Sequence, residues 1–223
     1  MPSVVPPTEE QKKIADFLAG YDSLVERLIR TKQRLIELLT EQKQAIIHRA
    51  VTRGLDPTTP MQQTGLDWLP EVPKHWEIKP LKQVAAVSLS GVDKHSIEGE
   101  QNVLLCNYTD VYNNDFITED IEFMRATATE SEIKAFTIKS DDVLITKDSE
   151  AADDIAVPSL VREDPDGVLC GYHLALVRPA TSQITGVYLF RVISEVSTSR
   201  QFHIAATGVT RFGISKQDIK NVL

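Results

Sequence analysis

The sequence predicts an α+β protein, in which one long coiled-coil-forming α-helix precedes a mixed α/β globular domain. The helix is predicted because residues 8–53 hold one glycine and no proline, and their apolar residues recur at alternating spacings of three and four. Residues 57–80 are rich in proline and hold both tryptophans of the chain. Beyond residue 80, short β-rich runs alternate with turn signals, which is typical of a mixed domain.

The predicted helix has an apolar seam that needs a partner. Thr8 is its expected N-cap with Gln11 as capping-box partner, and Gly54 with Pro57 behind it marks the expected end. A helix over 8–53 would be about 69 Å long, longer than the core of a small domain, so we expect a second chain to cover the seam. A helix packed on its own domain stays an alternative. The seam begins at Ile14 and continues through Phe17, Tyr21, Leu24, Leu28, Thr31, Leu35, Leu38, Gln42 and Ala45.

Three segments follow from composition: a helix over 1–56, a Pro/Trp-rich linker and docking segment over 57–80, and a globular domain over 81–223. In the last of these we expect β-rich runs at 103–106, 142–146, 169–178 and 186–192 and helical spacing at 128–136. Residues 187–205 fit both strand and helix.

Charge and cysteine content limit the function classes. The net charge of −8 argues against a generic nucleic-acid binder, which would be basic. Two cysteines are too few for a disulfide scaffold, and we find neither a secretory signal nor a membrane span, so the cytoplasm is the expected compartment.

No catalytic constellation emerges. Phosphate-binding glycine loops, zinc-ligand spacings and a nucleophile elbow are all missing from the sequence, so we expect no catalytic residue, no bound metal and no cofactor on this chain. Residues 93–166 carry 19 acidic against 6 basic side chains, which is typical of a solvated face. Residues 178–220 hold six basic against two acidic ones; a phosphate-facing surface and dispersed surface charge are both open interpretations.

Several segments resemble the specificity (S) subunit of Type I restriction–modification systems. The Pro-Pro-x-x-Glu-Gln entry to the long helix and the Trp-rich stretch after it carry the resemblance. The matching stretches are 5–18, 34–39, 44–47, 50–57, 64–77 and 207–214. Family subunits have two target recognition domains and two long helices that pair antiparallel, whereas this chain has one of each. The resemblance therefore implies a half-length form that acts as a homodimer of antiparallel helices.

The resemblance also implies a function in DNA recognition without catalysis. Such a subunit reads one half of a bipartite site in double-stranded DNA, and two identical halves would read inverted repeats separated by a gap. The family's methyltransferase (M) subunits bring S-adenosylmethionine chemistry, and its restriction (R) subunit brings cleavage. A coiled-coil scaffold without DNA recognition is the main alternative, and a nuclease using the acidic centre is a third.

Candidate DNA-reading residues lie in polar loops near strand ends. Thr146, Lys147 and Ser149 are the first group, and Tyr172 and His173 are the second. A third group contains Thr207, Gly208, Thr210 and Arg211, where the glycine would allow close approach of a ligand to the backbone. Asn107 and Tyr108 are weaker candidates. A turn or core role is an alternative for each, as is a hydrogen-bonded core histidine for His173.

Overall fold

The computed structural model describes residues 4–180 and 182–223. Its compact units are the helical stretch that ends at Ile46 and a globular unit over Ile47–Leu223. The helices are α1 Thr8–Arg53, α2 Leu81–Val84, α3 Tyr108–Asn113, α4 Glu130–Phe136, α5 Gly186–Ile193, α6 Val196–Ala205 and α7 Lys216–Asn221. The strands are β1 Met61–Leu66, β2 Leu69–Pro73, β3 Ala85–Leu89, β4 Gln101–Cys106, β5 Phe116–Ile117, β6 Met124–Ala128, β7 Val143–Thr146, β8 Asp148–Ser149, β9 Pro158–Val161, β10 Val168–Cys170, β11 Leu174–Pro179, β12 Thr207–Gly208 and β13 Phe212–Gly213. The expected α+β class, a long helix before a mixed domain, is confirmed.

The ends of α1 are set by local chemistry. The helix starts at Thr8 itself, since the Gln11 amide donates to the Pro7 carbonyl at 2.9 Å and the Gln11 side chain donates to the Pro6 carbonyl at 2.7 Å. The expected capping box of Thr8 with Gln11 is therefore wrong. At the other end Gly54 adopts φ +75°, a left-handed conformation that favours glycine, so the expected stop is confirmed.

The apolar seam of α1 faces solvent along its whole length. All its positions from Ile14 to Ala45 are exposed. Phe17 is the most exposed of its large apolar side chains, with 70% of its surface accessible to solvent. Its ring stacks on that of Tyr21, one turn further on, with centroids 6.2 Å apart. The polar Thr31 satisfies its hydroxyl within the helix by donating to the Arg27 carbonyl at 2.8 Å. An exposed apolar stripe of this length is typical of an interaction surface.

A five-stranded sheet in the order β3-β11-β7-β9-β5 organises the globular unit. All pairs are antiparallel except β5 with β9. Alternate residues point to opposite faces of the sheet. Val143 and Ile145 join a core with α5, α6 and α7, while Leu144 joins a second core on the other face that includes Val111 of α3. The strands expected at 103–106 and 142–146 correspond to β4 and β7.

A glycine splits the β-rich run expected at 169–178 into two strands. β10 joins a three-stranded sheet, β10-β4-β6, and β11 joins the five-stranded one. Between them Gly171 donates its amide to the Cys106 carbonyl at 2.9 Å, and a Cβ there would lie 2.7 Å from that oxygen. The close approach requires glycine and leaves Tyr172 and His173 in the connecting loop.

The strand expected at 186–192 is wrong, because these residues form α5. Thr185 caps the helix by accepting the Tyr188 amide at 3.2 Å. Leu189, Phe190 and Ile193 then fall on one helical face and are buried in the core. The β-branched composition favoured a strand, but the cap and the helical spacing of buried residues prevail. The ambiguous stretch 187–205 is thereby resolved as α5 and α6.

The segment expected as a linker contains a β-hairpin. β1 pairs with β2 in antiparallel register from Met61↔Pro73 to Leu66↔Leu69. The prolines of β2 fit because each of its residues pairs on one side only, and an edge strand tolerates proline. Arg53, the last residue of α1, forms an ion pair with Glu71 of β2 at 2.6 Å. The segment 57–80 is therefore folded rather than an open tether.

Candidate nucleic-acid interface

Three predicted candidate groups, far apart in the sequence, meet at one edge of the globular unit. β8 pairs with β13 in the register Asp148↔Gly213, and β13 pairs with β12. Two further backbone hydrogen bonds complete the junction: the Lys147 amide donates to the His173 carbonyl, and the Ile214 amide donates to the Lys147 carbonyl, both at 3.0 Å. The loop at 172–173 and the hairpin at 207–213 are thus held on either side of residues 147–149.

Asp148 is the charged centre of this edge. Its carboxylate lies 2.8 Å from Lys147 Nζ, 3.1 Å from His173 Nδ1 and 3.5 Å from Arg211 Nη2. Partial burial acts to raise the pKa of Asp148, but the hydrogen bonds and charges of Lys147 and His173 outweigh it, so the pKa lies below its ordinary value. At neutral pH the ionised carboxylate of Asp148 therefore contacts three basic side chains.

Arg211 and Tyr172 are the side chains of this cluster that reach solvent most fully. Arg211 is 56% exposed, and its Nη2 lies 2.9 Å from His173 Nδ1. The Tyr172 ring meets the His173 ring edge-on, with centroids 4.9 Å apart. Lys147, by contrast, is only 13% exposed, with its Nζ 4.4 Å from the centre of the Tyr172 ring. Lys147 thus packs against the Tyr172 ring, while the guanidinium of Arg211 contacts Asp148 and His173 and remains more than half exposed.

Two first-group candidates face inward, so their expected role in reading DNA is wrong. The Thr146 hydroxyl donates to the Asp154 carbonyl at 2.7 Å and accepts the Val157 amide at 3.0 Å, and the residue is fully buried. Ser149 is also buried, with its hydroxyl 3.1 Å from that of Tyr108. Both hydroxyls stabilise the turn after β7 and cannot reach a base.

Asn107, one of the two weaker candidates, has a structural role. It is the N-cap of α3, and its backbone amide donates to the Asp110 carboxylate at 2.7 Å. It nevertheless lies beside the 172–173 loop, since a Cβ at Gly171 would be 3.5 Å from its side-chain oxygen. Half-buried Asn107 therefore borders the edge without projecting from it.

The third group is exposed, but its glycine has a role in the fold of the hairpin. Thr207, Gly208 and Thr210 all face solvent on β12 and the following turn. Gly208 has φ +149°, and a Cβ there would lie 1.9 Å from the Arg211 carbonyl oxygen. Glycine is therefore needed for the close approach of the two hairpin strands, and not for approach of a ligand.

The candidate set lacked two residues that the structure brings to this edge. Asp148 lies within the first candidate stretch, 146–149, but was not among the residues chosen from it, although its carboxylate contacts all three basic side chains. Tyr112 stacks on Tyr108 with ring centroids 5.4 Å apart, and its hydroxyl donates to Asp154 at 2.9 Å. The spacing of four between the tyrosines within a helical stretch was the available signal. Together with Tyr172 they give this edge several aromatic side chains.

Within residues 4–180 and 182–223, no group of three or more His, Cys, Asp or Glu side chains could hold a metal ion. None of the helices described is both long and apolar enough to cross a bilayer.

Comparison with known proteins supports the resemblance drawn from the sequence. No family model matches the chain. The Type I restriction enzyme MjaVIII specificity subunit of Methanocaldococcus jannaschii is 28% identical over 120 residues, which are 54% of this chain and 27% of that protein. The chain therefore spans about a quarter of its curated relative.

Solved structures share the fold. A chain from a structure of the type I R-M system, concerned with complex assembly and conformational transition, superposes with a TM-score of 0.56 at 18% identity, over 98% of this chain and 47% of that one. The HsdS subunit of Thermoanaerobacter tengcongensis superposes with a TM-score of 0.50 at 18% identity, over 100% of this chain and 50% of that one. The chain is thus similar in sequence to a Type I restriction specificity subunit, and it has the fold of one half of such a subunit.

Proposed function

We propose that this chain is a DNA sequence-recognition subunit of a Type I restriction–modification complex, and that it reads one half of a bipartite target. The similarity to a named specificity subunit supports this. The observation that carries the proposal is the convergence of three separate segments around Asp148, which presents Arg211 and Tyr172 at one exposed edge. We call this edge, formed by residues 147–149, 172–173 and 207–213, the reading edge.

The reading edge has the chemistry that major-groove recognition needs. The Arg211 guanidinium can donate two hydrogen bonds to O6 and N7 of a guanine, the most common specific contact to a base. The Thr207 and Thr210 hydroxyls can bond to bases or phosphates, and the exposed Tyr172 adds an aromatic contact. Asp148 limits the motion of the basic groups, which reduces the entropy lost on binding.

In this proposal, partner subunits supply the phosphate contacts and the catalytic activities that this acidic chain lacks. With a net charge of −8, we expect weak and salt-sensitive DNA binding by the chain alone. Methyltransferase subunits would contribute most phosphate contacts and bind S-adenosylmethionine, and a restriction subunit would cut. The chain itself is non-catalytic in this proposal, and it acts in the cytoplasm.

The seam of α1 supports an antiparallel homodimer with a definite register. In an antiparallel pair, each a position of the heptad faces a d position of the other helix. All ten seam residues pair in this way only when the numbers of facing residues add up to 59, as for Ile14 with Ala45 or Leu28 with Thr31. A shift by one heptad leaves seam residues without a partner. Two-fold symmetry then predicts half-sites that are inverted repeats.

The decisive experiment co-expresses the chain with the Type I methyltransferase subunit encoded in the same genome. After co-expression, methylated adenines are mapped across the host genome. A palindromic motif with an unread gap is the expected result. Failure of the two subunits to co-purify would leave a coiled-coil scaffold as the better interpretation, and co-purification without any methylation would argue against a reading role.

A further inference from the structure

A groove on the globular unit has no part in the reading edge. Its volume is about 630 Å³, and it lies between the end of α1, the β1–β2 hairpin and helices α5 and α6. Both tryptophans of the chain line it, together with Val51, Thr52, Tyr188 and Val192. We call this feature the tryptophan groove. Two indole rings and a tyrosine beside aliphatic side chains give it the character of a site for an extended apolar peptide.

Recognition of proline-rich peptides uses grooves of this chemistry. A polyproline II segment has no internal hydrogen bonds and a stiff backbone, so it docks against aromatic side chains at low entropic cost. Residues 4–7 of this chain read Val-Val-Pro-Pro and precede α1 without helical structure. Val4 is 94% exposed and Val5 is 76% exposed, so this short arm is apolar and uncovered.

The register of the antiparallel helix pair places residues 4–7 of one copy near the tryptophan groove of the other. Thr52 lies one heptad beyond Ala45, so it is the next seam position, and it lines the tryptophan groove. With facing residues that add up to 59, Thr52 faces Pro7 of the second chain, directly before its α1 helix. That helix begins at Thr8, level with Val51, which also lines the groove. Four residues in polyproline II conformation span about 12 Å beyond this point.

We propose that the tryptophan groove of one copy receives residues 4–7 of a second copy, so that the two chains exchange arms at both ends of the paired helices. This rests on the antiparallel homodimer proposed above. Exchange would add a specific contact at each end of the dimer, beyond the pairing of the two seams.

Photo-crosslinking tests the exchange directly. The full chain with p-benzoylphenylalanine in place of Val5 is mixed with unmodified ¹⁵N-labelled chain, refolded together and irradiated, and crosslinked peptides are identified by mass spectrometry. We expect crosslinks from position 5 to peptides that hold Trp68 or Trp76 of the labelled copy. Crosslinks within one copy only, or to peptides outside the groove, would overturn the proposal.

A disulfide test keeps the dimer and the arm exchange distinguishable. Phe17→Cys and Gln42→Cys chains, whose positions add up to 59, are mixed under mild oxidation. A mixed disulfide between them supports the register, while each variant alone should give none. If that disulfide forms and position 5 does not reach the groove, the exchange is wrong and the dimer stands. If neither forms, both are wrong.

Tryptophan emission gives an independent readout, because both tryptophans of the chain line the groove. The double variant V4D/V5D should shift the emission of the dimer to the red, as water replaces the arm. Ile97→Asp, at an exposed loop position that does not line the groove, is the matched control and should leave the emission unchanged. An unshifted spectrum in V4D/V5D would contradict arm exchange.

Discussion

Arg178 and Asp142 form a bidentate ion pair that ties β11 to the start of β7. Arg178 Nε and Nη2 donate to the two carboxylate oxygens, each at 2.6 Å, and Nη2 also donates to the Thr137 carbonyl at 3.0 Å. The hydrogen bonds and charge of Asp142 outweigh partial burial and raise the pKa of Arg178 above its ordinary value. Arg178 is one of the six basic residues considered for a phosphate-facing surface, but its charge is matched within the fold.

Loss of this pair should destabilise the globular unit. Asp142 is buried, and it also accepts the Lys139 amide at 2.7 Å. Asp142→Ala leaves the guanidinium and that amide without their acceptor. We expect the free energy of unfolding to fall by about 2–4 kcal/mol. Breaking a fully buried ion pair costs about 3–5 kcal/mol, and the cost here is lower because solvent screens Arg178, which is 35% exposed.

Chemical denaturation in urea measures this change. Arg125→Ala, at an exposed position of β6, is the control and should change the free energy by less than about 0.5 kcal/mol. A similar small change in Asp142→Ala would show that the pair adds little.

Glu195 should make stability depend on acid pH. Its buried side chain lies 2.8 Å from His48 Nδ1 and accepts the Thr198 amide at 2.9 Å. Burial acts to raise its pKa, but the hydrogen bonds from the Ser197 and Thr198 amides and from His48 lower it below the ordinary 4.5. The contribution is therefore complete above the unfolded pKa, and it is lost as pH falls through the lower folded pKa.

Urea unfolding at neutral pH and at about pH 3 checks this prediction, with the carboxylate's contribution lost at the acid end. Glu195→Gln should lower stability at neutral pH and remove part of the decline on acidification. Asp148 also has a lowered pKa, so the wild-type curve contains more than one such contribution and only the difference between the curves is assigned to Glu195. Parallel curves for the two proteins would contradict the assignment.

The two cysteines should resist thiol reagents in the folded protein. Cys106 and Cys170 are fully buried and face each other in register on β4 and β10. Burial raises the pKa of both thiols, which leaves little thiolate to react. We expect DTNB to label neither thiol in buffer and both in denaturant. Rapid labelling of the native protein would mean that this pair of strands opens readily.

Arg211 and Lys147 should differ in their effect on target recognition. Arg211→Ala removes an exposed donor pair and should lower methylation of the correct site by about 10–100-fold, since a bidentate base contact contributes about 1–3 kcal/mol. Lys147→Ala removes a mostly enclosed group, so we expect a smaller loss through Tyr172 and Asp148.

Methylation by the assembled complex is compared on matched and mismatched sites. Arg125→Ala serves as the arginine control outside the reading edge. Equal activity and target preference in Arg211→Ala and the control would remove Arg211 from the reading role.

How far the sequence predicted the molecule depends on the range of the interactions. The bounds of α1 and the strands β4 and β7 follow from local pattern, because periodicity and a stop glycine act over a few residues. Residues 186–192 were misassigned, since β-branched side chains suit a strand and only burial against the core decides for a helix. Thr146 was misassigned because its hydrogen-bond partners, Asp154 and Val157, follow a turn that no sequence motif predicts.

The candidate site divides in the same way. Polar loop residues could be chosen from the sequence, and the members of all three groups do meet. Their common centre could not be predicted, because Asp148 differs from the other acidic residues only in the neighbours that the fold gives it. The exposure of the basic side chains could not be predicted either. Lys147 and Arg211 are both basic loop residues in the sequence, but in the structure Asp148 and Tyr172 cover the lysine and leave the arginine exposed.

The pairing of β8 with β13 has a consequence for biogenesis. Asp148 and Gly213 are partners across 65 residues, so a long loop must close before the pair can form. The reading edge therefore cannot form until residues 207–213 have been synthesised, well after residues 147–149. A nascent chain that lacks residues 207–213 already holds all strands of the five-stranded sheet, but β8 has no β13 to pair with.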